Sequence, residues 1–247
     1  MASRHLAFLP ALAVVGLALG PSPARAALQL FADVGGTTFS CFDNQACDTN
    51  PTTGVLSLGN AVNINGVVVN GSIQTSTGNP ATPGLVNVLN SSALTVTNTN
   101  ATSTSATVAI SDTDFTGPAN SYSTSGSGTF QDAVGSLITL NWFNDANNAQ
   151  GADSATDTPG TLVDTFTYNV TRVADSFAHS ETGAASDPGA FSMTLQFLYT
   201  LTPGGQLLSR GMTELKPRVV PVPEPASLSL MGVGLLALGL MARRRMV

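Results

Sequence analysis

The chain has 247 residues, of which only 10% are charged, far below the roughly 25% usual in a soluble domain. Five of its nine basic residues (Arg4, Arg25, Arg243, Arg244 and Arg245) lie in the two ends, whereas of fifteen acids only Glu224 does, so the body holds fourteen acids against four bases. Such a surface repels a phosphate backbone and excludes nucleic acid as a partner. Thr, Ser, Asn and Gly replace the missing charge; they suit strands and turns, and roughly 195 residues of body suffice for one sizeable domain.

The N-terminus reads as a secretory signal. Arg4 and His5 supply the charged start, Leu6 to Leu19 the apolar run, and Ala24-Arg25-Ala26 a small-x-small cleavage box. A signal helix within residues 1–26, cut after Ala26, is expected. Export places the only two cysteines, Cys41 and Cys47, in an oxidising compartment, where they are expected to pair across a short loop. A redox role is disfavoured, because the spacing is not C-x-x-C and no base lies nearby.

Between residues 27 and 217 the pattern alternates by two, with no helical period. Val62 to Val69 is interrupted by Asn65-Gly66, the sequence of a tight hairpin. Leu94 and Val96, and Val108 and Ile110, mark weaker strands. Thr116 to Gly128 is rich in Ser, Gly and Thr, Ile138, Leu140 and Trp142 form a stripe, and Asn144 to Gly160 reads as a long polar loop. Phe166, Tyr168 and Val170 face one way in Thr165 to Val173. Phe191, Met193, Leu195, Phe197, Tyr199 and Leu201 form one side of Phe191 to Leu201. Turn residues every ten positions or so predict an all-β, antiparallel β-sandwich. The rival β-solenoid needs a repeat that is absent.

The body offers little for catalysis. His179 is its only histidine and Lys216 the chain's only lysine, so zinc sites, His triads and Ser-Lys dyads lack their parts. Glu181 and Glu214 are the carboxylates from which a glycosidase pair could be drawn, and one Trp with three Tyr gives little stacking platform for sugar. The expectation is a protein that is not an enzyme. Acidic clusters are hard oxygen ligands suited to Ca2+. Asp43 and Asp48 with Asp112 and Asp114 are the first candidates, and Asp145, Asp153 and Asp157 form a third group. The alternative for all of them is Asx-turns. No other cofactor is implied. Thr95, Thr97 and Thr99 raise an ice-binding reading, but threonine is a good residue for a solvated strand face and no repeat extends the array.

Lys216 to Pro223 reads as a stiff spacer leading into a tail at 218–247. There Val222-Pro223-Glu224-Pro225 precedes an apolar run at 228–242 and the basic stop Arg243, Arg244 and Arg245. Fifteen helical residues reach about 22 Å, short of a ~30 Å hydrocarbon core, and flanking arginines snorkel to make up the difference. This predicts a single short C-terminal transmembrane helix. The positive-inside rule keeps its arginines cytoplasmic and the body outside, in agreement with the signal peptide.

The tail resembles the PEP-CTERM sorting signal, a signature also labelled an ice-binding protein C-terminal domain. The resemblance implies a substrate of exosortase, processed at or near the Pro-Glu-Pro box, in bacteria that make exopolysaccharide and grow as biofilms or flocs. It implies an inner-membrane-anchored precursor with a periplasmic body, delivered to the cell surface or the extracellular matrix. The stretches CFDNQACDTNPTTGVLSL and AISDTDFTG make the body similar to uncharacterised domains of other PEP-CTERM proteins. The functions weighed are a surface or matrix protein, a Ca2+-dependent carbohydrate-binding module, and a polysaccharide hydrolase.

Overall fold

The computed structural model describes residues 28–76 and 86–217. The expected signal peptide with Ala24 and Ala26, and the tail with Val222, Pro223, Glu224, Pro225 and Arg243 to Arg245, lie outside the described residues.

Thirteen strands form two antiparallel sheets. In chain order they are β1 (Gln29–Val34), β2 (Thr37–Phe42), β3 (Val55–Ser57), β4 (Val62–Ile64), β5 (Val67–Ser76), β6 (Asn87–Asn98), β7 (Thr104–Phe115), β8 (Ala119–Gln131), β9 (Leu137–Asp145), β10 (Thr161–Asn169), β11 (Ala174–Asp187), β12 (Phe191–Leu201) and β13 (Gln206–Pro217). One sheet runs β10-β9-β12-β7-β1-β2; the other runs β11-β8-β13-β6-β5-β3, with β4 also on β5. The last eight strands pair β6 with β13, β7 with β12, β8 with β11 and β9 with β10. That is an antiparallel ribbon folded over into a jelly roll, to which β1–β5 add strands along one side.

The expected stripes become the core. Ile138, Leu140 and Trp142 on β9 and Phe191, Met193, Leu195, Phe197, Tyr199 and Leu201 on β12 are buried against Leu94, Val96, Phe130, Leu207 and Leu215 of the other sheet. Burial of side chains this size is worth about 1.5–3 kcal/mol each relative to exposure. Asn65 and Gly66 join β4 to β5 with φ of 45° and 80°, both positive, as a type I′ hairpin turn demands.

Two segments with no strand stripe in the sequence lie in strands. The Ser/Gly/Thr-rich stretch is the body of β8, an interior strand. Its serines point outward, and Gly126 and Gly128 point into the core. A Cβ added at Gly126 would stand 2.8 Å from Leu140 and 3.2 Å from Trp142, and one at Gly211 on β13 would stand 2.8 Å from Phe197. Large residues of the opposite sheet fill the space these glycines leave. Lys216, read as part of a spacer, belongs to β13 and pairs with Glu214 at 3.5 Å.

The 146–160 loop lies across the outer face of the six-stranded sheet. Ala152 packs on Phe31 and Ala109 in a small satellite cluster. Gln196 donates to Ala155 O at 2.7 Å, Ser192 to Ala149 O at 2.6 Å, and Gly151 N to Ser111 Oγ at 3.1 Å. Ser192, Thr194 and Gln196 on the outward side of β12 are therefore buried, whereas Leu198 and Thr200 farther along that side are not.

Candidate functional site

Among the described residues the outer face of the seven-stranded sheet has no such cover. A groove of about 480 Å³ crosses β6, β13, β8 and β11, with Asn90, Ser125, Ser127, Ser180, Arg210 and Met212 among its lining. The register puts Ser180, Ser125, Met212 and Asn90 in one cross-strand row, with Ala178, Ser127 and Arg210 in the next. Since alternate residues share a face, the small outward side chains of β8 make the floor and the long ones of β13 make a wall. A bulge in β6 between Leu94 and Ser91, opposite Arg210, bends the sheet there. A second cavity of about 260 Å³ adjoins the first, and both include Ser127 and Arg210.

Arg210 is exposed, and its side chain has neither an ion pair nor a hydrogen bond among the described residues. Sequence reasoning missed it. The available signal was scarcity: it is one of four bases in the body, set between Ser209 and Gly211.

The expected acids gather at one end of the sandwich. Asp48 accepts hydrogen bonds from the N–H groups of Asn44, Asn50 and Ser57 at 2.9–3.0 Å. Burial opposes its ionisation, but these donors outweigh burial and hold its pKa below the usual value. Asp43 accepts from Gly54 N at 2.9 Å, and burial, with the Asp48 charge beside it, moves its pKa up. Asp112 is buried on the inner side of β7, and burial pushes it up to about 6. Asp114 turns to Asn148, whose side-chain amide donates to it at 2.7 Å. Asp43 and Asp48 thus meet and Asp112 feels the charge of Asp43, but Asp114 bonds elsewhere. Among the described residues no group of three or more acid, His or Cys side chains is arranged to hold a metal. Asp145 and Asp157 likewise accept from N–H groups of the 146–160 loop. The bonds from Asn50 N to Asp48 and from Asn147 N to Asp145 are of the Asx-turn kind, while Ser57 N ties Asp48 to β3.

Cys41 and Cys47 form the expected disulfide, with Cα atoms 5.9 Å apart.

The candidate catalytic residues do not assemble. Glu181 shares a register row with Thr124, which faces the core, and Glu214 shares one with Ser123, which faces outward. The two glutamates lie on opposite faces of one sheet and do not flank a common bond. His179 Nε2 lies 2.9 Å from Asp164 Oδ2, and Thr124 Oγ1 donates to that same oxygen. In a triad the imidazole sits between hydroxyl and acid; here the carboxylate sits between the other two. Trp142 and Tyr199 are buried, and the Tyr122 and Tyr168 hydroxyls bond to Val163 O and Asp175, so these rings are committed to packing rather than to an exposed platform.

Residues 221–245 match the family model of the PEP-CTERM protein-sorting motif. The chain carries a PEP-CTERM tail. It is accordingly the exported, membrane-anchored precursor of an exosortase-processed protein, and the disulfide fits a location outside the cytoplasm. The PEP-CTERM match covers the tail alone and does not extend to the sandwich. No curated protein matches the chain. Among solved structures, a carbohydrate-binding module, TmCBM61 in complex with β-1,4-galactotriose, is 12% identical, with a TM-score of 0.32 over 62% of this chain and 89% of that one. Tailspike protein 4 of bacteriophage CBA120, an enzymatically active domain, is 14% identical, with a TM-score of 0.31 over 60% of this chain and 19% of its own. The C-terminal CBM6 of a laminarinase from Zobellia galactanivorans is 13% identical, with a TM-score of 0.23 over 59% and 90%.

Proposed function

We propose that this is a non-enzymatic protein of the cell surface or extracellular matrix. Exosortase releases it from its PEP-CTERM tail, and the groove on the seven-stranded sheet then holds it on exopolysaccharide. The observation that carries the binding half is that groove. It is a solvent-open trough lined by hydroxyl, amide and guanidinium groups with the apolar Met212 and Ala178 among them, the mixture that hydrogen-bonds sugar hydroxyls while covering C–H surface. Its volume lies within the roughly 300–1,000 Å³ of small-ligand sites. The sorting tail supports the destination. The opposite-facing Glu181 and Glu214 and the carboxylate-centred His179 cluster support the absence of catalysis.

The test has two arms in the native host. Mass spectrometry of the exported protein, with and without exosortase, is expected to find the tail removed only when the enzyme is present. Purified protein is expected to be retained on the host exopolysaccharide in EDTA as well as in millimolar Ca2+. An intact tail on exported protein would contradict the first half, and absence of retention the second. Retention only in Ca2+ would restore the calcium-dependent reading, with Asp43 and Asp48 as its first candidates.

A further inference from the structure

We infer that Arg210 makes the groove selective for an acidic polysaccharide, its guanidinium pairing with a carboxylate carried by the sugar chain; the inference rests on reading the groove as a polysaccharide site. Arg210 stands where the two adjoining cavities meet, so a polymer following the groove must pass it. The ion pairs among the described residues are His179–Asp164 and Lys216–Glu214, and Arg210 belongs to neither. A guanidinium left unpaired on an acidic protein is free for a ligand. Its planar fork matches a carboxylate with two parallel N–H···O bonds.

The charge around the groove agrees. The outward positions of β6, β8, β11 and β13 carry Arg210, Lys216 and Glu214 as their charged residues, a balance of one positive charge. Glu214 is four residues along the strand from Arg210, roughly 13 Å, and is already paired. The opposite outer face, with its loop, carries Asp33, Asp145, Asp153 and Asp157 and, among the described residues, no base. An anionic polymer is therefore repelled from one face and tolerated on the other. Strand addition by a peptide is open only at β11, the edge of this sheet; on β6, β8 and β13, where Arg210 sits, the backbone groups are used in the ladder.

The experiment compares binding of the exported protein, as released by the host, to host exopolysaccharide, native and with its carboxyl groups methyl-esterified. Wild type, Arg210→Gln and Arg210→Lys are measured at low and moderate salt. The wild type is expected to prefer the native polymer about tenfold, as a charge-assisted bidentate contact provides, and to lose that preference as NaCl rises. Arg210→Gln is expected to bind both polymers equally, at the wild-type affinity for the ester, and Arg210→Lys to keep part of the preference. Unchanged melting temperatures confirm that the variants fold. Equal wild-type affinity for both polymers, or a preference that survives Arg210→Gln, overturns the inference and leaves the polysaccharide reading standing. Binding to neither polymer overturns both.

Discussion

On the six-stranded sheet Ser192, Thr194 and Gln196 point outward yet are buried beneath the 146–160 loop, whereas on the seven-stranded sheet Ser125, Ser127 and Ser180 point outward and stay open to solvent. Both rows are uncharged and polar, so residue type does not separate them. The difference is whether a connection can satisfy the hydroxyls it covers. Ser111 Oγ accepts from Gly151 N and Thr194 Oγ1 and donates to Met193 O, and Gln196 and Ser192 each donate to a loop carbonyl. A buried donor left unpaired costs about 1–3 kcal/mol, and the loop avoids that cost at each of these side chains. No described loop does the same for the other face, whose hydroxyls keep their hydrogen-bonding capacity for a ligand. A strand face that looks inert in sequence is structural on one sheet and available on the other.

The largest effect is expected at the loop's apolar anchor. Phe31→Ala empties the satellite cluster beneath the loop and is expected to cost about 3–5 kcal/mol, with faster proteolysis within 146–160 and no change in polymer binding. Loss of stability with equal loss of binding would mean that the two faces are not independent.

Asp112 belongs to neither outer face, and its effect is read by pH. Its folded pKa of about 6 lies above the ordinary 3.8, so the folded protein holds a proton that the unfolded chain releases between those values. The stability attached to that proton is full below about pH 4 and is lost as pH rises through 6, on the order of 3 kcal/mol at 1.36 kcal/mol per unit. The difference in unfolding free energy between wild type and Asp112→Asn, followed from pH 4 to 8, is expected to change in that sense. A flat difference would remove the buried-acid assignment.

Gly126→Ala probes the underside of the open face. The added methyl meets Leu140 and Trp142 and is expected to lower stability by about 1–3 kcal/mol, measured by chemical denaturation. Arg210→Gln gives the smallest stability effect, within about 0.5 kcal/mol, because an exposed unpaired side chain has little to lose. Set against its effect on binding, that neutrality separates a ligand contact from a structural one.

The sandwich was legible wherever bulky and polar residues alternate, as in Phe191 to Leu201, which is β12 residue for residue, and where a turn needs a particular chemistry, as at Asn65-Gly66. β8 was not legible as a strand, because its contrast is serine against glycine. The bulk its inward face needs is supplied by Leu140 and Trp142 on the opposite sheet, far away in sequence. Burial of Ser192, Thr194 and Gln196 was hidden for a similar reason, since it depends on where a loop between other strands comes to rest. Of the expected calcium group, the Asp43–Asp48 contact was foreseeable from their closeness in the chain. The turn of Asp114 toward Asn148 was not, because the two are 34 residues apart. The groove draws one residue from β6 and three from each of β8, β11 and β13, and no local pattern announces it.

Hydroxyl-radical footprinting with host exopolysaccharide tests the division between the faces directly. Met212, partly exposed in the groove and readily oxidised, is expected to be protected when polymer is added, while the 146–160 loop reacts as before. Protection of the loop with Met212 unchanged would contradict the account.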